Sequence, residues 1–314
     1  MKIAITGGTG FVGGHFAKHA LGDGHEVVLL SRTANRDTSG LDDSARVTRV
    51  SSDLSDIQVL TNAFRGCEAV AHCAGINREL GRQTFQRIHV EGTRNVVEAA
   101  QQAGVRRIAL MSFLRARPNC GSRYHESKWA AEEIVRNSSL DYTIVKAGMV
   151  YGRGDHMLDH LSHSLYTAPL FATVGLHEKP IRPLAVDDLV RVLQAALIDA
   201  RLPRQTVAIT GAEELYLSEA AQRVAHVLGR RVWIFPAPVW FHRRLAELCE
   251  LTMKVPLVAK AQVQILSEGV VEPATACDPL PADLLPVRYF TAEQIRGGLP
   301  EAGPFGVRDL RFCA

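Results

Sequence analysis

The chain opens Met1-Lys2-Ile3-Ala4-Ile5-Thr6-Gly7-Gly8-Thr9-Gly10-Phe11-Val12-Gly13. A short apolar strand runs straight into glycines at 7, 10 and 13, and an apolar-periodic helix follows. Few backbones satisfy that order. Gly7 permits a tight strand-to-helix turn, Gly10 lets backbone approach a pyrophosphate, and Gly13 lets the helix pack on a sheet. The N–H groups and positive end of the helix then face the phosphates. Gly7, Thr9, Gly10, Phe11, Val12 and Gly13 are therefore the expected phosphate-binding residues. The competing reading is a structural glycine turn that binds nothing.

Strand and helix patterns alternate for the next 140 residues. Strands are predicted at Lys2–Thr6, His25–Leu30, Arg46–Val50, Glu68–Cys73, Arg106–Met111 and Tyr142–Val145. Helices are predicted at Phe11–Leu21, Asp56–Phe64, Gln83–Ala103 and Ser122–Arg136. Such alternation argues an α/β fold, a doubly wound parallel sheet of Rossmann type. Right-handed crossovers give the strand order 3-2-1-4-5-6. Thr206–Thr210 reads as a seventh strand. Helices are read at Val186–Asp199, Leu217–Leu228, Val239–Met253 and Val258–Ser267, a strand at Arg231–Phe235, and a proline-rich tail from Pro273. Residues 1–152 form the expected dinucleotide-binding core. Residues 153–314 mix sheet-completing segments with a small C-terminal lobe for substrate or partner.

Composition removes several function classes. The net charge of +3 is too small to argue for nucleic-acid binding. No apolar stretch is long enough for a spanning helix. The first apolar run is short, glycine-rich and leads into a folding motif, so it is not read as a signal peptide. Cys67, Cys73, Cys120, Cys249, Cys277 and Cys313 are scattered, as expected in a reducing cytoplasm.

The G-x-x-G-x-x-G spacing of Thr6-Gly7-Gly8-Thr9-Gly10-Phe11-Val12-Gly13 resembles the short-chain dehydrogenase/reductase superfamily in its extended and atypical branches. Further runs carry the resemblance from Gly7 to about Asp188. His89-Val90-Glu91-Gly92-Thr93-Arg94-Asn95 is similar to that branch's N-x-x-G-T-x-N, with His89 in place of the first Asn. Lys146-Ala147-Gly148-Met149-Val150-Tyr151-Gly152-Arg153-Gly154-Asp155 is similar to its R-P-x-x-V-Y-G-x-G-D, with Lys-Ala for Arg-Pro. Pro183-Leu184-Ala185-Val186-Asp187-Asp188 is similar to its P-V-x-V-D-D turn. Together these runs resemble the epimerase/dehydratase-like branch that holds the NADPH-binding accessory subunit of respiratory complex I and its bacterial relatives. The resemblance implies that Asp53 and Leu54 touch the adenine edge and that Ala74 and Gly75 lie beside the adenine ribose.

Tyr124-His125-Glu126-Ser127-Lys128 places a phenol and an ammonium on one helix face. A free phenol titrates near ~10, and acid–base work near neutrality needs a shift of about three units. An adjacent lysine ammonium, together with a cationic oxidised nicotinamide, is expected to supply it by stabilising the phenolate. The resemblance makes Tyr124 the acid–base group and gives Lys128 the nicotinamide ribose. It looks for a third catalytic hydroxyl after the fifth strand. Ser112 is the candidate there, although Leu114 stands where the working hydroxyl of the extended enzymes usually falls. The alternative is a relic pair that only packs against the cofactor.

The second strand ends Leu30-Ser31-Arg32-Thr33, with an arginine where an NAD site would place a carboxylate for the ribose 2′-OH. Arg32 pairing with a 2′-phosphate, aided by Ser31 and Arg36, favours NADP(H) over NAD(H); the alternative is Arg32 stacking on adenine, which would tolerate either cofactor. Two functions follow. One is an oxidoreductase or epimerase moving hydride between NADP(H) and a small carbonyl or alcohol. The other is a non-catalytic NADP(H)-binding module that docks on a partner.

His156, Asp159, His160 and His163 share a helix face and are read as a polar helix, not a metal site. Val232–Phe241 (VWIFPAPVWF) followed by His242-Arg243-Arg244 is read first as a buried strand and helix start. On that reading Trp240→Ala costs about 3–5 kcal/mol. The second reading is contact with a membrane surface, a quinone or a protein partner.

Overall fold

A computed structural model of the chain describes residues 1–32, 45–253, 257–301 and 303–306. β1 (Lys2–Thr6) passes through Gly7 into α1 (Phe11–Gly22), followed by β2 (Glu26–Ser31) and β3 (Val47–Ser51). Asp56 caps α2 (Ile57–Phe64) by accepting from the Gln58 and Val59 N–H groups, and β4 (Ala69–His72) comes next. α3 (Gly92–Gln102) is entered through a π-helical turn at Gln86–Glu91. β5 (Arg107–Phe113), α4 (Arg123–Arg136) and β6 (Asp141–Ala147) complete the first half. The second half runs β7 (Val150–Tyr151), α5 (His156–Thr167), β8 (Leu170–Val174), β9 (Leu184–Ala185), α6 (Val186–Leu197) and β10 (Gln205–Ile209). It ends with α7 (Leu217–Val227), β11 (Trp233–Ala237), α8 (Val239–Thr252), α9 (Lys260–Glu268) and α10 (Ala292–Gly298).

These elements form two compact units. The first takes Met1–Ala147, Val186–Ile209 and Pro273–Leu285, and the second Gly148–Ala185, Thr210–Glu272 and Pro286–Ala314.

In the first unit seven parallel strands lie in the order β10-β6-β5-β4-β1-β2-β3. This is the order 3-2-1-4-5-6 expected of the sequence, with the seventh strand added beside the sixth. Helices cover both faces, which is why β4 is buried at every position and β1 from Ile3 onward. On one face Val28, Leu30, Val70, Ile108 and Ile144 pack with Leu60 and Phe64 of α2, Val96 of α3 and Val135 of α4. The proline-rich segment returns to this unit. Thr206 donates its N–H to the Asp278 carboxylate, and Asp278 donates back to the Thr206 carbonyl at 2.7 Å.

The second unit has two small parallel pairs, β8 with β11 and β7 with β9. Its core gathers Tyr151, Leu158, Leu161, Ile181, Val224 and Phe290. Tyr151 meets Phe290 edge-on at 4.8 Å and donates to the Tyr289 carbonyl at 3.1 Å. No helix among the described residues is long and apolar enough to cross a membrane.

Several expectations need correction. The predicted helix Gln83–Ala103 begins as a π turn, where Thr93 donates to the His89 carbonyl and Ile88 N–H reaches Thr84. β5 continues through Phe113, so Ser112 lies within the strand and not after it. The buried reading of Val232–Phe241 holds for one face only: Val232, Ile234 and Val239 pack on the core and Ala237 is buried, but Trp233 is 73% exposed and Trp240 67%. A uniformly apolar run has no alternation to mark a face, and β11 has a single strand neighbour. Trp240→Ala is therefore expected to leave the thermal melt within about 0.5 kcal/mol of the parent, as for other surface changes. A loss near the core-truncation value would restore the buried reading.

Candidate functional site

The glycine turn and the ends of β1, β4 and β5 lie in the first unit. Gly7 has φ +68°, and a Cβ there would sit 2.9 Å from the Ala74 backbone. A Cβ at Gly13 would sit 2.4 Å from the Gly7 carbonyl oxygen. The turn, the post-β4 loop and the start of α1 are thus drawn together as closely as backbone allows. Gly10 is the N-cap of α1. No side chain caps the helix, and its first turn holds no acidic residue. Phe11 and Val12 are half-buried beside it, as is Thr9 in the turn. A helix start with no side-chain cap, over a turn of three glycines and Thr9, fits a dinucleotide pyrophosphate.

Two neutral histidines fix the floor. Thr93 gives its hydroxyl proton to the His89 carbonyl, so the His72 Nε2–H donates to Thr93 at 2.9 Å. His72 Nδ1 then accepts from Thr6 at 2.6 Å, and this assigns the tautomer. Burial pushes the His72 pKa down to about 3. This chain of bonds joins the end of β1 to β4 and α3. His89 Nε2 accepts from the Ile76 N–H at 3.1 Å, so Nδ1–H donates to Ser127 at 2.8 Å. Ser127 donates in turn to the Tyr124 carbonyl. Burial, with Lys128 second, pushes His89 down to about 2. His89 thereby ties the Cys73–Ile76 loop to α4.

Tyr124 and Lys128 share the face of α4 expected of them. The Tyr124 ring lies among Phe85 and Phe113, both at 5.5 Å, and His89 and His125, both at 5.8 Å. Lys128 Nζ donates to the Met111 carbonyl at 3.1 Å and would be 3.2 Å from a Cβ at Gly75. Burial pushes the Tyr124 phenol up to about 12, with no opposing contribution from Lys128. Burial also lowers Lys128 to about 8, against the Glu132 charge, which raises it. Burial alone thus sets the direction of the phenol's shift in the protein. At neutral pH the pair is a phenol and an ammonium.

Ser112 donates its hydroxyl to Glu132. Glu132 also meets Lys146 at 3.1 Å and Arg136 at 2.7 Å. Lys146 Nζ reaches the Ala116 carbonyl and Thr275 as well, and both cations lie over the Trp129 ring. Glu132 and Lys146 are fully buried. Sequence reasoning missed Glu132, although it stands two turns beyond Tyr124 on the same face. Leu114 is fully buried, and its N–H bonds the Ala147 carbonyl.

The adenine-side candidates are more dispersed. Asp53 accepts from Ser55 and pairs with Arg87 at 3.0 Å, and the Ser55 bonds lower its pKa. Leu54 has φ +69°, is buried, and its carbonyl accepts from Asn95. Arg32 is exposed at the end of β2, where its carbonyl accepts from Ser51. Arg36 and Cys313 lie outside the described residues. Among the described residues no group of three or more His, Cys, Asp or Glu side chains is arranged to hold a metal ion.

Residues 7–159 match the NAD(P)H-binding domain family. Ceramide reductase of Caulobacter vibrioides is 35% identical over 153 residues, 49% of this chain and 47% of that protein. A mitochondrial subunit of mouse NADH dehydrogenase (ubiquinone), 1 alpha subcomplex subunit 9, is 24% identical over 83% of this chain and 70% of its own. Among solved structures, UDP-glucuronic acid 4-epimerase of Bacillus cereus in complex with NAD superposes with a TM-score of 0.70. Its identity is 16%, over 95% of this chain and 97% of that one. The chain spans about a quarter of the length of its mycobacterial relatives, 26% of each. The strand order and the glycine turn define a Rossmann-type α/β fold. More particularly, residues 7–159 are similar to the NAD(P)H-binding family, and a dehydratase and an epimerase are among the structural neighbours.

Proposed function

We propose that the protein is an NADP(H)-dependent oxidoreductase of the extended short-chain dehydrogenase/reductase type that reduces a small carbonyl compound. The observation that carries this reading is the Tyr124–Lys128 pair, held on one face of α4 with Lys128 against the Gly75 turn. The glycine turn and the α1 start hold the pyrophosphate. Lys128 binds the nicotinamide ribose as an ammonium. When bound, the reduced nicotinamide supplies hydride. Tyr124, a phenol at neutral pH, donates a hydrogen bond to the carbonyl oxygen and gives it a proton as the alcohol forms. A high phenol pKa suits that direction, and the name of the Caulobacter relative, a reductase, supports it. Ser112, bonded to Glu132, takes no part in the proton transfer.

NADPH over NADH rests on Arg32. Loss of a charged hydrogen bond to a 2′-phosphate costs about 1.5–3 kcal/mol. Arg32→Asp is expected to reverse or flatten the preference in calorimetric titrations of both nucleotides. Equal affinities in the parent, unchanged in the variant, would remove Arg32 from the account.

One observation favours a second reading. Ser112 is bonded to Glu132, and a buried Leu114 stands where the extended enzymes usually carry their working hydroxyl. A non-catalytic module, like the mouse relative named as a subunit, would bind nucleotide and turn over no carbonyl. An assay of NADPH consumption against quinones, nucleotide sugars and small ketones separates the two.

A further inference from the structure

The second unit exposes more large apolar surface than a self-contained lobe needs. α8 buries His242, Ala246 and Cys249 on one side. On the other side Trp240, Phe241, Leu248 and Leu251 stand in solvent, the last two 58% and 68% exposed. At helical spacing these four fall within about 100° of one another, a stripe of large apolar side chains with the exposed Arg244 among them. β11 leads into the helix through Pro238 and adds more. Trp233 and Phe235 share one strand face, and Leu170, the register partner of Trp233, is exposed beside them.

The charges around this surface are unequal. From Arg230 to Leu251 the chain carries Arg230, Arg231, Arg243 and Arg244 against Glu247 and Glu250. Each aromatic cluster has an arginine pair within four residues. Arg243 and Arg244 are exposed on α8, and Arg244 pairs with Glu247 at 3.2 Å with its side chain 81% exposed. Glu247 is shared with Lys260 at 3.7 Å. The 14-residue helix is about 21 Å long, too short to span a bilayer and long enough to lie along one.

We propose that this face docks the protein on an anionic bilayer surface, with α8 lying in the plane of the headgroups. Tryptophan and phenylalanine rings settle at the boundary between headgroups and acyl chains. Arginines at their flanks meet the lipid phosphates. A second copy or a protein partner would also cover apolar side chains. The excess of arginine beside the aromatics favours anionic lipid.

The test is sedimentation of the full chain with phospholipid vesicles. Vesicles of phosphatidylcholine with about 30 mol% phosphatidylglycerol are expected to bind at least about tenfold more protein than phosphatidylcholine alone. Raising NaCl from about 0.1 M to about 0.5 M should release most of it. The double change Trp240→Ser with Leu248→Ser is expected to cut binding about tenfold or more, with the thermal melt and NADPH affinity kept. Arg243→Gln with Arg244→Gln should erase the preference for anionic vesicles. In the unmodified protein, brominated phosphatidylglycerol vesicles should quench tryptophan emission, so the test survives if a variant misfolds. An unmodified protein that stays in the supernatant and is not quenched overturns the proposal. So does binding that the substitutions leave unchanged. A concentration-dependent rise in mass by light scattering, without vesicle binding and abolished by Trp240→Ser, assigns the face to a second copy and also overturns it.

Discussion

Glu132→Ala is expected to destabilise the protein by about 3–5 kcal/mol, the largest loss from any single change considered. The carboxylate is fully buried and holds the Lys146 ammonium, the Arg136 guanidinium and the Ser112 hydroxyl. Removing it leaves Lys146 buried, with only the Ala116 carbonyl and Thr275 as partners. Urea unfolding followed by circular dichroism measures the loss. Ser112→Ala serves as the comparison. It removes one neutral donor while both cations stay on Glu132, and about 1–2 kcal/mol is expected. A Glu132→Ala protein as stable as the parent would show that the ionic cluster is dispensable to the first unit.

Tyr124→Phe is expected to lower turnover by about 10²–10⁴, as for loss of one acid–base group. The ring keeps its neighbours Phe85, Phe113, His89 and His125. Fold and nucleotide affinity should therefore survive, and initial rates of NADPH consumption separate the effects. The pH profile follows from Lys128. Its pKa near 8 keeps it charged at neutrality, and above about 8 it releases its proton and loses its hold as a cation. The rate should be level below that value and fall above it, while Tyr124, near 12, stays protonated. Stability moves the other way at first. Between about 8 and 10.5 the unfolded chain binds the lysine proton that the folded chain has released, so stability rises with pH across that window. Full activity with Phe at position 124 would refute the tyrosine as proton donor.

Parts of this arrangement are legible in the sequence because short-range geometry dictates them. The strand, glycine turn and helix at the N-terminus read directly, since Gly7 and Gly13 sit where a Cβ would strike backbone. The strand order follows from the alternation of elements, and Tyr124 and Lys128 are one helical turn apart wherever α4 packs. What sequence does not mark is long-range. Glu132 and Lys146 come from neighbouring elements, and a lone Glu in a helix looks like any solvated carboxylate until β6 brings the lysine to it. The direction of the phenol's shift is hidden for a related reason: helical spacing places the lysine nearby, but burial decides the shift. Trp233 and Trp240 lie in a run too uniformly apolar for periodicity to say which face meets water. The strands β7 and β9, of two residues each, are too brief to carry a pattern.

The central claim is that hydride moves from the bound cofactor to a carbonyl carbon while Tyr124 gives the proton. Isotope transfer tests it most directly. The protein is incubated with NADPH carrying deuterium at the hydride-donating carbon, together with ketones, quinones and nucleotide sugars, and the products are read by mass spectrometry. The account predicts at least one alcohol with deuterium on the former carbonyl carbon, and a yield that collapses with Tyr124→Phe. Retained NADPH binding with no deuterium in any product would contradict it and leave a nucleotide-binding module without chemistry.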